Sequence, residues 1–299
     1  MKKGDIILAA IFILSLLLVI ILELLSPIRK EVQLGPSAQT DVRLQIGNSA
    51  PTIANINSIQ NVDLSPGSIK NVVVTFTARD SNGAADLDDA AATASFSSTG
   101  EPIRTAPSCT RTAQSGKERT YQCIVTMQYY DKSGFWNAAV NIKDQAGVTA
   151  QGTTQLTLNL LRDISVGPAT IAFPTLAQGD INILSSQNTL VTNNGNAEVP
   201  SSILEITASN LLGETNPAES ISAANFRASS SSELNVCTNG NVLVSNAPIS
   251  ISSAVLPRGP AGSNTGELSY CLVLVPESIT SQFYSTSATG GQPWTITLN

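Results

Sequence analysis

The densest acidic cluster in the chain reads Asp80-Ser81-Asn82-Gly83-Ala84-Ala85-Asp86-Leu87-Asp88-Asp89. Hard oxygen donors close in sequence around a glycine turn suit Ca²⁺, which takes about six to eight oxygen ligands in a forgiving geometry. Asp80, Asn82, Asp86 and Asp88 are the candidate ligands, and calcium is the one cofactor the sequence suggests. The spacing is not that of an EF-hand. The third early acidic position is missing, and the twelfth residue from Asp80 is Ala91 rather than a bidentate Glu. The same residues also suit a solvated Asx turn followed by a short helical turn with Asp86 at its cap.

Other chemistries are thinly represented. The chain has no histidine, which removes the commonest general base and the commonest metal ligand together. A Ser-His-Asp triad, a Cys-His pair and a His-ligated zinc site are therefore impossible within this chain. Serines crowd positions 229–232, but no base stands beside them, and no spacing points to a Ser-Lys dyad. No residue is assigned a catalytic or cofactor-binding role, and the chain is expected not to be an enzyme. The net charge is −6 and the pI about 4.7, with Lys and Arg scattered. Without a basic stripe, nucleic acid is not an expected partner.

Four cysteines, Cys109, Cys123, Cys237 and Cys271, allow three pairings. One bridge in each half, Cys109–Cys123 and Cys237–Cys271, is favoured by the division of the chain described below. Neither pair has the C-x-x-C spacing of a metal site. An even count in a histidine-free, exported chain reads as disulfides, against the alternative of four buried thiols.

The elements that would position these residues begin with an anchor. Residues 6–25, IILAAIFILSLLLVIILELL, make 20 residues with a single charge, Glu23. As a helix they measure about 30 Å, the thickness of a bilayer core. Pro27 stops the helix. The apolar run is longer than the h-region of a cleavable signal, and no small-x-small site follows it. Lys2 and Lys3 precede the span, whereas Arg29, Lys30 and Glu31 after it net only +1. The positive-inside bias puts the N-terminus in the cytoplasm and residues 27–299 outside the cell.

Residues 27–50 read as a polar juxtamembrane stalk. From Pro51 the hydrophobic period becomes two, the mark of half-buried antiparallel strands. Val72, Val74, Phe76 and Ala78 share a face; so do Cys123, Val125, Met127 and Tyr129, and so do Trp136, Ala138, Val140 and Ile142. Leu156, Leu158 and Leu160 alternate likewise. Beyond Arg162 come Leu204, Ile206 and Ala208, then Cys271, Val273 and Val275, then Trp294, Ile296 and Leu298. Three Asn-Gly pairs, beginning at Asn82, Asn194 and Asn239, signal turns. Trp136 and Trp294, on apolar faces, are expected in the core. A short helical turn is expected around residues 217–224. The expectation is an all-β fold: anchor 1–26, stalk 27–50, then two antiparallel immunoglobulin-like β-sandwiches over 51–162 and 163–299.

Gly134-Phe135-Trp136 followed by Val140, Ile142, Asp144 and Gly147 resembles immunoglobulin-like surface modules. Tyr121-Gln122-Cys123 is similar to the Tyr-x-Cys of the immunoglobulin tyrosine corner. Cys109 lies too near to Cys123 for the inter-sheet bridge of antibody domains, so a hairpin or loop staple is expected. The layout of anchor and Ser/Thr/Asn-rich modules resembles archaeal cell-surface proteins, as does Val191-Thr192-Asn193-Asn194-Gly195-Asn196. The resemblance implies a membrane-anchored structural or adhesive protein displaying two sandwiches, with a protein or glycan partner at the cell surface. Lys2-Lys3-Gly4 before the apolar helix also resembles the processing site of archaeal type IV pilins and archaellins. That likeness implies the alternative of a filament subunit, cut after Gly4, whose partner is itself.

Overall fold

A computed structural model of the chain describes residues 3–24, 41–230 and 235–299, with the side chains of its first helix from residue 11 onward. The chain divides into two compact units, Met1–Gly47 and Asn48–Asn299. In the first, α1 (Lys3–Leu24) is a 22-residue helix. Its sequence is almost wholly Ile, Leu, Val, Ala and Phe, so it has no polar stripe to set against an apolar one. Its large apolar side chains from Ile11 to Leu24 are 44–79% exposed. Among the described residues, no helix is long and apolar enough to cross a membrane. The expected span 6–25 is thus described only in part, and Pro27, the flanking Arg29, Lys30 and Glu31, and stalk residues 27–40 lie outside the described residues. Residues 41–47 have no regular structure and leave Val42, Leu44 and Ile46 exposed.

The second unit is all-β and has two hydrophobic cores. The first half is built from β1 (Thr52–Ile56), β2 (Lys70–Arg79), β3 (Leu87–Ser97), β4 (Arg104–Ala106), β5 (Thr110–Ser115), β6 (Glu118–Met127), β7 (Gly134–Asp144) and β8 (Thr149–Leu158). One sheet has the order β1-β2-β6-β5, the other β4-β3-β7-β8. These are the A-B-E-D and C′-C-F-G orders of an immunoglobulin-like sandwich. Alternation decides which side chains meet between the sheets, because successive residues point to opposite faces. Val74, Phe76, Tyr121, Cys123, Val125, Trp136, Val140 and Ile142 all lie in this core. Leu160, expected to continue the β8 face, is 55% exposed, because the strand ends at Leu158.

The strand order relocates one sequence motif and keeps Trp136 in the core. Tyr121 lies on β6, the fifth strand of the immunoglobulin order, whereas a tyrosine corner belongs to the sixth. Its hydroxyl donates to the Asp89 carboxylate across the sandwich at 2.8 Å, not to upstream backbone. Trp136 lies on β7, 1% exposed, with its indole N–H donating to the Lys132 carbonyl oxygen.

The second half comprises β9 (Ile164–Gly167), β10 (Ile181–Leu184), β11 (Thr189–Asn193), β12 (Leu204–Thr207), β13 (Leu211–Gly213), β14 (Ser220–Ile221), β15 (Phe226–Ser230), α2 (Val236–Asn239), β16 (Asn241–Val242), β17 (Pro248–Ser250), β18 (Thr265–Leu274), β19 (Tyr284–Ser285) and β20 (Thr295–Leu298). Its main sheet is β16-β15-β18-β11-β9, with β10 also on β18, and two three-stranded sheets, β17-β12-β20 and β14-β13-β19, complete it. Of the expected face Cys271, Val273 and Val275, only Val275, just past the end of β18, lies in the core, and Cys271 and Val273 are not on the core face of the strand. Leu268, Tyr270 and Leu272 fill the core. Apolar residues on both faces make a period of two ambiguous here. Cys271 is buried on the opposite face, where its disulfide ties β18 to α2. Trp294 is half-buried against this core, its indole N–H donating to the Ser209 carbonyl oxygen at 2.9 Å. The helical turn expected near 217–224 is a 3₁₀ turn at Ala223–Asn225.

Both expected disulfides form. Cys109–Cys123 joins the chain at the start of β5 to its neighbour β6, a staple within one sheet, and Cys237–Cys271 is the second.

Candidate metal centre and the joint between the two halves

Three carboxylates meet at the end of the first half where the chain enters the unit. Asp80 follows β2, Asp86 ends the 3₁₀ turn Ala84–Asp86, and Asp144 ends β7. One oxygen of each lies within 4.8 Å of the others. Pairing of β3 with β7, with Leu87 opposite Asp144, brings the last residue of β7 beside the loop.

The loop is an Asx turn. Asp80 Oδ1 accepts from the Asn82 N–H at 2.7 Å, and Gly83, at φ 127°, takes a backbone conformation that L residues rarely adopt. Asp86 sits inside the helical turn rather than capping it; Gly83 holds the N-cap position and makes no side-chain cap. Asn82 Oδ1 accepts the Ser49 N–H at 2.7 Å, tying the turn to the entering chain. Asp88 is not among the three; its Oδ1 accepts the Ala90 N–H, two residues on. Of the four expected ligands, Asp80 and Asp86 therefore come together, and Asp144 joins them.

Asp144 is 2% exposed. Its carboxylate accepts from Asn48 Nδ2 at 2.8 Å and from the Val148 N–H at 2.7 Å. The Asn48 hydrogen bond, followed by backbone N–H donors of the β7–β8 turn, holds its pKa below the usual carboxylate value. The sequence did carry a signal for Asp144. It continues the buried alternation Trp136, Ala138, Val140, Ile142, and an acid at a core position requires partners.

A second polar cluster joins the two halves. Asn194 and Asn196, in the segment likened above to surface modules, bond across it. Asn194 Nδ2 donates to Asp163, and the Gly67 N–H donates to the Asn194 carbonyl oxygen. Asn196 Oδ1 accepts the Leu161 N–H, and its Nδ2 donates to the Asn159 carbonyl oxygen. Gly195 lies so close that a Cβ there would sit 2.4 Å from the Leu161 carbonyl oxygen. Asn264 Nδ2 donates to Tyr129 Oη and the Asn193 carbonyl oxygen, both buried contacts. Arg258 adds two bonds to the Glu101 carboxylate, 2.9 and 2.7 Å, and a third to the Tyr130 carbonyl oxygen. The Asn194-Gly195 pair is thus a joint and not a hairpin turn.

No protein-family model matches the chain, and no curated protein matches it. Solved structures align with the chain only at low similarity. The CsuC–CsuE chaperone–tip adhesion subunit pre-assembly complex from archaic chaperone-usher Csu pili of Acinetobacter baumannii aligns at TM-score 0.35 and 8% identity, covering 84% of this chain and 100% of that one. The secreted serine protease VesC from Vibrio cholerae aligns at TM-score 0.20 and 9% identity, over 80% of this chain and 49% of that one. Tandem Ig repeats of Dlar align at TM-score 0.20 and 11% identity, over 73% and 93%. The immunoglobulin-like character of the first half rests on its own strand order.

Proposed function

We propose that this chain is a membrane-anchored, single-pass protein of the cell surface that displays its β-rich unit outside, as a structural or adhesive element and without a catalytic role. The observation that carries the reading is α1. Its large apolar side chains from Ile11 onward stand exposed on every side, and in the sequence they belong to a 20-residue apolar run, residues 6–25. A helix apolar all round requires burial in protein or lipid. Two disulfides in the unit that follows fit an oxidising exterior. Basic Lys2 and Lys3 before the run favour a cytoplasmic N-terminus. Protease added to intact cells should then remove the second unit while the anchor stays in the membrane pellet. Protection of the whole chain until lysis would reject the orientation, and recovery in the soluble fraction would reject the anchor.

The filament-subunit alternative keeps one observation in its favour, Lys2-Lys3-Gly4 at the head of the apolar helix. The N-terminal residue of the mature protein separates the two. A chain beginning at Asp5, with filaments lost in Gly4→Leu, would replace display by polymerisation.

A further inference from the structure

The carboxylates of Asp80, Asp86 and Asp144 raise a question of charge. Three negative groups whose oxygens lie within 4.8 Å of one another repel, yet among the described residues none of the three takes part in an ion pair. Lys117 approaches the loop, but its Nζ donates to the Ser81 carbonyl oxygen at 2.5 Å. A second, independent observation comes from Asp80. Its side chain is fully buried, and while Oδ1 is committed to the Asn82 N–H, Oδ2 has no hydrogen-bond partner. Buried charged oxygens are paired, hydrogen-bonded or bound to metal. The Asp86 carboxylate likewise makes no hydrogen bond among the described residues, while its backbone is fixed at both N–H and C=O.

From these residues we propose that Asp80, Asp86 and Asp144 hold one Ca²⁺. Hard oxygens alone, with no nitrogen or sulfur donor, select a hard cation. Opposite oxygens around Ca²⁺ stand about 4.6–5.2 Å apart, so three oxygens within 4.8 Å fit one Ca²⁺ shell; the octahedron of Mg²⁺, about 4.0–4.2 Å across, demands a tighter and more regular set. Asp86 is half-buried, which leaves the ion a side open to water for its remaining ligands.

The site also holds the chain where it enters the unit. Asn48 donates to Asp144, and the Ser49 N–H donates to Asn82 in the Asp80 turn. Ion and entry segment thus share the same supports, so loading the site steadies residues 48–49. The inference does not depend on whether the chain is displayed or polymerised.

The test uses the full chain in detergent, stripped with EDTA, and titrates Ca²⁺ alone by equilibrium dialysis and thermal melting. One Ca²⁺ per chain is expected, with a Kd of about 10⁻⁵–10⁻³ M, and about 5 mM Ca²⁺ should raise Tm by roughly 2–15 °C across that range. Asp86→Asn should weaken binding at least about tenfold and, by relieving repulsion, raise Tm in EDTA. Asp144→Asn should weaken binding too, and if it fails to fold, Asp86→Asn decides alone. Asp88→Asn should leave binding unchanged. Absence of saturable binding to the unsubstituted chain, binding by Asp86→Asn within about twofold of it, or a lower Tm of Asp86→Asn in EDTA would each overturn the site.

Discussion

Arg258→Ala tests whether the two halves of the β unit are coupled through a defined contact. The Glu101 side chain is 6% exposed and that of Arg258 27%, so the pair lies between two limits. Removing one partner of a fully buried pair costs about 3–5 kcal/mol, and an exposed pair contributes about 0–1. Two charge-assisted bonds to Glu101 at this partial burial suggest about 2 kcal/mol. Stranding the Tyr130 carbonyl oxygen adds about 1 kcal/mol more. The total, about 3 kcal/mol, should lower Tm by roughly 6–12 °C for a unit of this size. Glu101→Ala alone should destabilise less, since an arginine can swing into water. The double variant should be better than additive by about 2 kcal/mol, because no carboxylate is left stranded. Urea unfolding of the four proteins supplies the cycle. The pH dependence adds a sign. Burial raises the Glu101 pKa, but the hydrogen bond and charge of Arg258 outweigh it, so the net shift is downward. A lowered carboxylate pKa contributes stability above the ordinary value and loses it as pH falls through the folded one. The Arg258→Ala deficit should therefore shrink in acid. A coupling within about 0.5 kcal/mol of zero, or a deficit that grows in acid, would refute the reasoning.

Three further expectations follow from the same structure. Gly195→Ala should destabilise by about 1–3 kcal/mol, measured by urea unfolding, because its Cβ would meet the Leu161 carbonyl oxygen at 2.4 Å and the joint must open. Replacing Cys109 and Cys123 by Ser should lower stability by about 3 kcal/mol and replacing Cys237 and Cys271 by about 4, since the sequence separations are 14 and 34 and longer loops gain more from closure; the reverse ranking in denaturant midpoints would count against loop entropy as the cause. The Tyr284 hydroxyl, then the Thr280 N–H and hydroxyl, hold the Glu219 pKa down to about 2 from an ordinary 4.5. Its contribution should be complete above pH 4.5 and vanish towards pH 2, so Glu219→Gln should flatten the pH dependence of unfolding in that window and leave it unchanged at neutral pH.

Much of the first half was legible because one face of each strand is apolar and the other is not. Val72 to Ala78 and Trp136 to Ile142 could be read strand by strand, and the division of the chain into two halves sufficed for Cys109–Cys123. Alternation says nothing about which strands become neighbours, so the tyrosine-corner likeness set Tyr121 on the wrong strand of the immunoglobulin pattern, while the core position expected of Trp136 holds. It also fails where both faces are covered, as on β18 around Cys271. The metal candidate divides the same way. Asp80 and Asp86 lie in one loop, but Asp144 enters through the pairing of β3 with β7, a long-range fact with a local trace only in its place at the end of a buried face. Asp88 looked equivalent to its neighbours by spacing, yet its carboxylate does not join the cluster of Asp80, Asp86 and Asp144.

Strand β5 is exposed at every one of its residues, so no hydrophobic contact holds it at the sheet margin. Its ladder with β6 also slips between Arg111 and Ala113. A strand in that condition peels easily, and its departure would bare the β6 edge to any neighbouring copy. The Cys109–Cys123 bond sits at the very start of β5, across from β6. It therefore works as a rivet at the hem of the sheet. Wherever copies of this chain crowd together, the rivet keeps one sandwich from being stitched to the next.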